Sequence, residues 1–287
     1  NRQRLKYRPN DNFNSGIGFT YKYIGINLGF RLPFINDDNK KYGKTRFLDL
    51  QSYVYSRKVT ADLYAQFYNG YYIANRSVLQ DRAAYGSLFP QRSDIKTKNV
   101  GLNMQYIFNH RRFSYRAAYL QNEYQKRSAG SLVAGGGLHY ISINADSAII
   151  PLNLVYPDFF KRADFNRSHI FCLALNVGYA YTLVVKQHYF LTGSLSVGTG
   201  VNYTSITNTK LDVTDKNLGT QLNGIFRLST GYNSERYFAG VAYVNFVTRN
   251  TSPITDAWQE FQTGNFHLYF AKRFKLKKKV QKMIPLP

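Results

Sequence analysis

Apolar and polar residues alternate along most of this chain. Phe171, Leu173, Leu175, Val177, Tyr179, Tyr181, Leu183 and Val185 interleave with Ile170, Cys172, Ala174, Asn176, Gly178, Ala180 and Thr182. Successive residues of an extended strand point to opposite faces, so the segment has one large apolar face and one mostly small or polar face. The next segment repeats this, with Tyr189, Leu191, Leu195, Val197, Val201 and Tyr203 opposite His188, Thr192, Ser194, Ser196, Gly198 and Gly200. Strands of soluble sandwiches usually hold about 5 to 6 residues, whereas a tilted strand crosses a bilayer in about 9 to 11. An open sheet edge in hydrocarbon leaves backbone groups unpaired, so such a sheet must close. The pattern predicts an all-β, antiparallel transmembrane β-barrel.

Followed along the chain, the rhythm places Leu48, Leu50, Leu63 and Phe67 on the lipid side, with Asp49, Gln51, Asp62, Tyr64 and Gln66 in the lumen. Val100, Leu102, Met104, Tyr106 and Phe108 form another outward row, and Leu222, Phe226 and Leu228 another. The region 113–143 is too long for one crossing and is read as two strands. The total is about 12 strands, with 10 or 14 as alternatives. Three parts follow: an N-terminal periplasmic segment, 1–14; the barrel, 15–274; and a basic periplasmic tail, 275–287. Both termini then lie in the periplasm. Long loops at 33–44 and 74–95 fit poorly, because this count puts them on the side where bacterial barrels carry short turns.

Composition agrees with a barrel. The 287 residues include 25 Tyr and 21 Phe against one Trp, and mean hydropathy is only −0.38. A barrel hides its apolar residues at every second position. No apolar run long enough for a membrane helix is present. A net charge of +22 raises the question of nucleic acid. The basic residues gather at strand ends and in the tail, so the expected partners are outer-membrane lipids, including lipopolysaccharide or other anionic headgroups, and protein partners in an outer-membrane complex, with no nucleic acid. The sole cysteine, Cys172, excludes an intrachain disulfide. No metal or other cofactor is expected.

The inward positions carry the candidate chemistry. Arg31, Arg116, Arg227 and Arg273 are read as lumen-facing with Asp49 and Asp62, a set able to fill a narrow interior or to select anions in a pore. Tyr179, Tyr181, Tyr189, Tyr203, Phe266, Phe270 and Phe274 form the membrane girdle. None of the 5 histidines has a serine two residues later, the pair that barrel phospholipases use as base and nucleophile. The acidic doublet Asp37–Asp38 reads as turn chemistry. Ser128, Ser131, Glu123 and His139 are the best catalytic candidates, although a hydrogen-bonded interior explains them better.

The run Phe113-Ser114-Tyr115-Arg116-Ala117-Ala118, its continuation Glu123 to Ser131, and Asn69-Gly70-Tyr71-Tyr72 resemble an uncharacterised outer-membrane barrel family of Bacteroidota. The resemblance implies a Gram-negative cell-envelope barrel with no established reaction. The leading expectation is a non-enzymatic outer-membrane barrel, a structural or accessory subunit. A narrow anion-preferring pore is the first alternative, and a lipid-modifying hydrolase the second.

Overall fold

The computed structural model describes residues 3–10, 15–21, 24–30, 38–120, 123–156 and 158–272. In chain order these form β1 (Tyr7–Arg8), β2 (Ser15–Tyr21), β3 (Ile24–Phe30), α1 (Asn39–Tyr42), β4 (Arg46–Tyr55), β5 (Val59–Ile73) and β6 (Gln91–Ile107). Then come α2 (Tyr115–Tyr119), β7 (Ala129–Asn144), β8 (Arg167–Val185), β9 (Tyr189–Asn208), β10 (Val213–Asn233), β11 (Tyr237–Thr251) and β12 (Trp258–Lys272). No helix among the described residues is long and apolar enough to cross a membrane.

Strands β2 to β12 pair in sequence order as one antiparallel path, and β1 adds to β5 through Tyr7↔Ile73 and Arg8↔Tyr72. The path curls strongly. Gln66 on β5 donates to Thr263 on β12 at 3.0 Å, although seven strand spacings in a flat sheet would separate them by roughly 34 Å. Gly135 permits one close approach within the wall, since a Cβ there would meet the Met104 carbonyl oxygen at 1.8 Å.

The two faces invert the polarity of a soluble protein. Leu175 is 74% exposed and Phe270 77%, while Asn202, Gln221 and Thr204 are fully buried. Tyr179, Tyr181, Tyr189, Tyr203 and Phe266 are exposed on the outer face as expected, as are Phe171, Leu195 and Leu228. Phe274, Arg31, Arg273, Asp37 and the tail 275–287 lie outside the described residues.

Among the described residues, eleven strands form the path and β1 adds a twelfth at β5, but their placement differs from the expected one. The region 113–143 holds one strand, not two, because Phe113 to Leu120 leaves the sheet and packs α2 inside it. The Ser114 hydroxyl caps the helix by accepting from the Ala117 N–H at 3.3 Å. Phe113, Tyr115, Ala118, Tyr119 and Leu120 are buried with Tyr55, Ile107, Val133, Ala180, Phe190 and Phe238. The carbonyls of Ala117 and Ala118, which a short helix leaves open, accept from Asn233 and Ser229 on β10.

Removing one strand reorders the connections. The long ones, 31–45, 74–90 and 145–166, now share one end with 209–212 and 252–257. The tight turns 56–58, 186–188 and 234–236 share the other, from which 113–120 folds inward. The two loops that fitted poorly, 33–44 and 74–95, thus fall at the same end as 145–166. Residues 3–10 lie at the long-connection end and Lys272 at the short-turn end, so a common side for both termini no longer follows from the path.

Candidate functional site

Among the described residues, Arg227 carries the one fully buried guanidinium. Arg227 on β10, 1% exposed, donates through Nη2 to Asp62 on β5 at 2.5 Å and through Nη1 to the side-chain Oε1 of Gln105 on β6 at 2.7 Å. Alternation brings the three together: each occupies an inward position of its strand, and the curl turns those positions toward one another. Tyr55 donates to the other Asp62 oxygen at 2.7 Å. The Gln105 amide donates to Asn176 on β8 at 2.7 Å and Ser196 on β9 at 3.0 Å. From α2, the Tyr115 ring lies under the guanidinium at 5.6 Å, and its hydroxyl meets Ser194 at 2.6 Å. A buried charge is tolerated when paired and hydrogen-bonded. Arg227 therefore ties β5 and β6 to β10 and to the helix inside them.

Beside this centre lies a small cavity of about 80 Å³, lined by Asn27, Gln51, Tyr53, Asp62, Tyr64, Tyr119, Arg227, Asn265, His267 and Tyr269 among others. Asp49 accepts from the lining residue Gln51 at 3.0 Å, and from Gln66 at 2.9 Å and Tyr68 at 3.0 Å. His139 contacts the Tyr64 hydroxyl through Nδ1 and Asn103 through Nε2 at 3.2 Å, and stacks on Phe246 at 4.4 Å. Gly101 leaves room for this group, since a Cβ there would lie 2.4 Å from the Tyr64 ring.

A family model described as a domain of unknown function, DUF4421, matches residues 1–274. The chain belongs to that family. No curated protein matches it.

The predicted catalytic residues of this DUF4421 chain are not brought together. Ser131 lies eight residues along β7 from His139, roughly 26 Å at the rise of an extended strand. Its hydroxyl accepts from the Asn109 N–H at 2.8 Å and donates to the Leu132 carbonyl at 2.6 Å. The Ser128 hydroxyl accepts from the Val184 N–H at 2.8 Å. A serine nucleophile needs a base within hydrogen-bond reach, and among the described residues neither hydroxyl contacts a histidine or carboxylate. Glu123 instead holds Arg57 at 2.7 Å and Arg116 at 2.9 Å and accepts from Ser114.

Arg116 is thereby corrected from a strand position in the lumen to α2, where it belongs to this latch. Cys172 is buried, its thiol donating to Asn250 at 3.0 Å. No group of three potential metal ligands occurs among the described residues. Alternation marked Arg227, Asp62, Gln105, Asn176 and Ser196 as inward. It gave no sign that they meet, and Tyr115 escaped because its segment alternates like a strand.

Proposed function

We propose that β2 to β12 belong to a closed transmembrane barrel of a bacterial outer membrane, non-enzymatic and occluded, acting as a structural or accessory subunit of an outer-membrane complex. The single observation that carries this reading is an interior occupied by α2 and the Arg227 centre beneath an apolar outer face. In hydrocarbon such a sheet must satisfy its edges. Ten reversals separate β2 from β12, so the two run in the same direction. An all-antiparallel wall takes one further strand between them, and direct contact makes a parallel seam.

The distribution of connections supports an orientation with the tight turns in the periplasm and the long connections outside. Residues 3–10 then lie with the long connections. The anion-pore alternative loses its main support, because Arg227 is paired with Asp62 rather than lining an open path. The hydrolase alternative has no assembled nucleophile and base among the described residues.

Reconstitution into planar bilayers tests the reading. The intact protein should insert and stay electrically silent, while a variant whose residues 113–120 are replaced by a glycine-serine linker should conduct. Steady conductance from the intact protein would overturn the occluded reading. Purification from native membranes should recover a stoichiometric partner, and repeated recovery of a lone chain would refute the accessory role.

A further inference from the structure

A compact basic patch sits on the outer face at the long-connection end, where β6, β7 and β8 run side by side. The register pairs Lys98 with Ser142 and Ser142 with His169; one step further it pairs Lys96 with Asn144 and Asn144 with Arg167. Lys96, Lys98, Arg167 and His169 therefore mark the corners of a rectangle roughly 10 Å wide and 7 Å tall. Its middle strand carries only the small polar side chains of Ser142 and Asn144, themselves bonded at 2.9 Å.

Three properties separate this patch from ordinary surface charge. Lys96, Lys98 and Arg167 are exposed, and among the described residues no carboxylate lies within ion-pair distance of them. The nearby acid on the same face, Asp94, is taken by Arg92 at 2.8 Å and by Ser147 at 3.1 Å. Second, the His169 ring is oriented: its Nδ1 contacts the Tyr140 hydroxyl at 2.9 Å and the rings stack at 6.2 Å, leaving Nε2 free of that bond. Third, the apolar band begins one step below. Val100 pairs with Tyr140, and Tyr140 with Phe171, all three exposed at 40% or more.

We infer that this rectangle binds the phosphate headgroup of an anionic lipid of the surrounding leaflet, with the lipid's chains lying against Val100, Tyr140 and Phe171. The inference rests on the membrane-spanning reading above. Cations that gather directly beyond an apolar band match the order of an anionic lipid, phosphate first and hydrocarbon next. A soluble acidic partner would have no use for the band.

The test uses the full chain in vesicles of phosphatidylcholine containing a minority of phosphatidylglycerol, followed by native mass spectrometry of the lipids it retains. The variant Lys96→Gln/Lys98→Gln/Arg167→Gln should retain phosphatidylglycerol roughly a hundredfold less, each cation near an anionic surface counting for roughly fivefold. A variant of equal charge loss at the opposite end, Lys58→Gln/Arg112→Gln/Lys186→Gln, should retain it like the parent. Lys96→Arg/Lys98→Arg should also retain it, which separates lost charge from damaged folding. Equal loss in both glutamine variants, or in neither, overturns the site. Flotation with the vesicles keeps the two readings apart: a chain that inserts but holds no anionic lipid refutes the site alone, and one that does not insert refutes both.

Discussion

At the short-turn end the interior is filled by α2, a single segment latched through Glu123 to Arg57 and Arg116. At the long-connection end it is covered by Leu79, Ile95, Ile149, Ile150, Leu154 and Phe165, an apolar cluster drawn from separate stretches of chain. Tyr7 of β1 joins that cover by donating its hydroxyl to the Ile149 carbonyl, and burial pushes this phenol up to about 12. One closure is a localised polar latch and the other is distributed apolar burial. The first can be released by removing a few hydrogen bonds, whereas the second loses stability in proportion to the contacts deleted. Permeability should therefore answer to the α2 end and resistance to proteolysis to the long-connection end.

The largest effect is expected where α2 meets the wall. Arg227→Ala leaves Asp62 and Gln105 facing a void, and removing one partner of a buried pair costs about 3 to 5 kcal/mol. Unfolding by urea from lipid vesicles should show that loss together with transient conductance. A change below about 1 kcal/mol would mean that Arg227 does not organise the interior.

Next is Leu79→Ala in the cover, where Leu79 is 1% exposed. Truncating a buried leucine costs about 2 to 5 kcal/mol. Cleavage within 74–90 should accelerate while bilayers remain silent. Conductance from this variant would show that the cover, rather than α2, blocks the path.

This division of labour was only half legible in the sequence. The strands could be read because the exposed positions, such as Leu173 and Val197, are apolar along their length, and a period of two is unambiguous over long runs. The segment Phe113 to Leu120 also alternates, with Phe113, Tyr115, Ala117 and Tyr119 on one parity, and a helix enclosed on all sides needs no polar stripe to betray it. Two signals were present. Ser114 stands at an N-cap position before the helix formers Ala117 and Ala118, and reading two strands there scattered the long connections over both ends. The Arg227 contacts were illegible for another reason: alternation reports which face a residue takes, not which distant strand it meets.

A smaller effect should follow from loosening the latch. Glu123→Gln keeps the shape of the side chain but gives up the charge that holds Arg57 and Arg116. Arg57 is 43% exposed, so screening limits the loss to about 1 kcal/mol. The expected sign is brief channel openings, and raised salt should produce the same openings in the parent protein. A silent variant at every salt concentration would show that the remaining contacts, among them Asn233 on the Ala117 carbonyl and Tyr124 stacked on His188 at 5.9 Å, hold the segment without Glu123.

The smallest expected change has the opposite sign. The turn between β8 and β9 places Lys186 at φ 49° and Gln187 at φ 63°, the left-handed region in which asparagine and glycine are the favoured pair. Lys186→Asn/Gln187→Gly should stabilise the protein by about 0.5 to 1 kcal/mol. Because the turn lies at the α2 end but outside the latch, the added stability should leave bilayers silent and the openings of Glu123→Gln unchanged. If it suppressed those openings, α2 would be held by the stability of the whole end rather than by Glu123, and the contrast between a local latch and a distributed cover would fail.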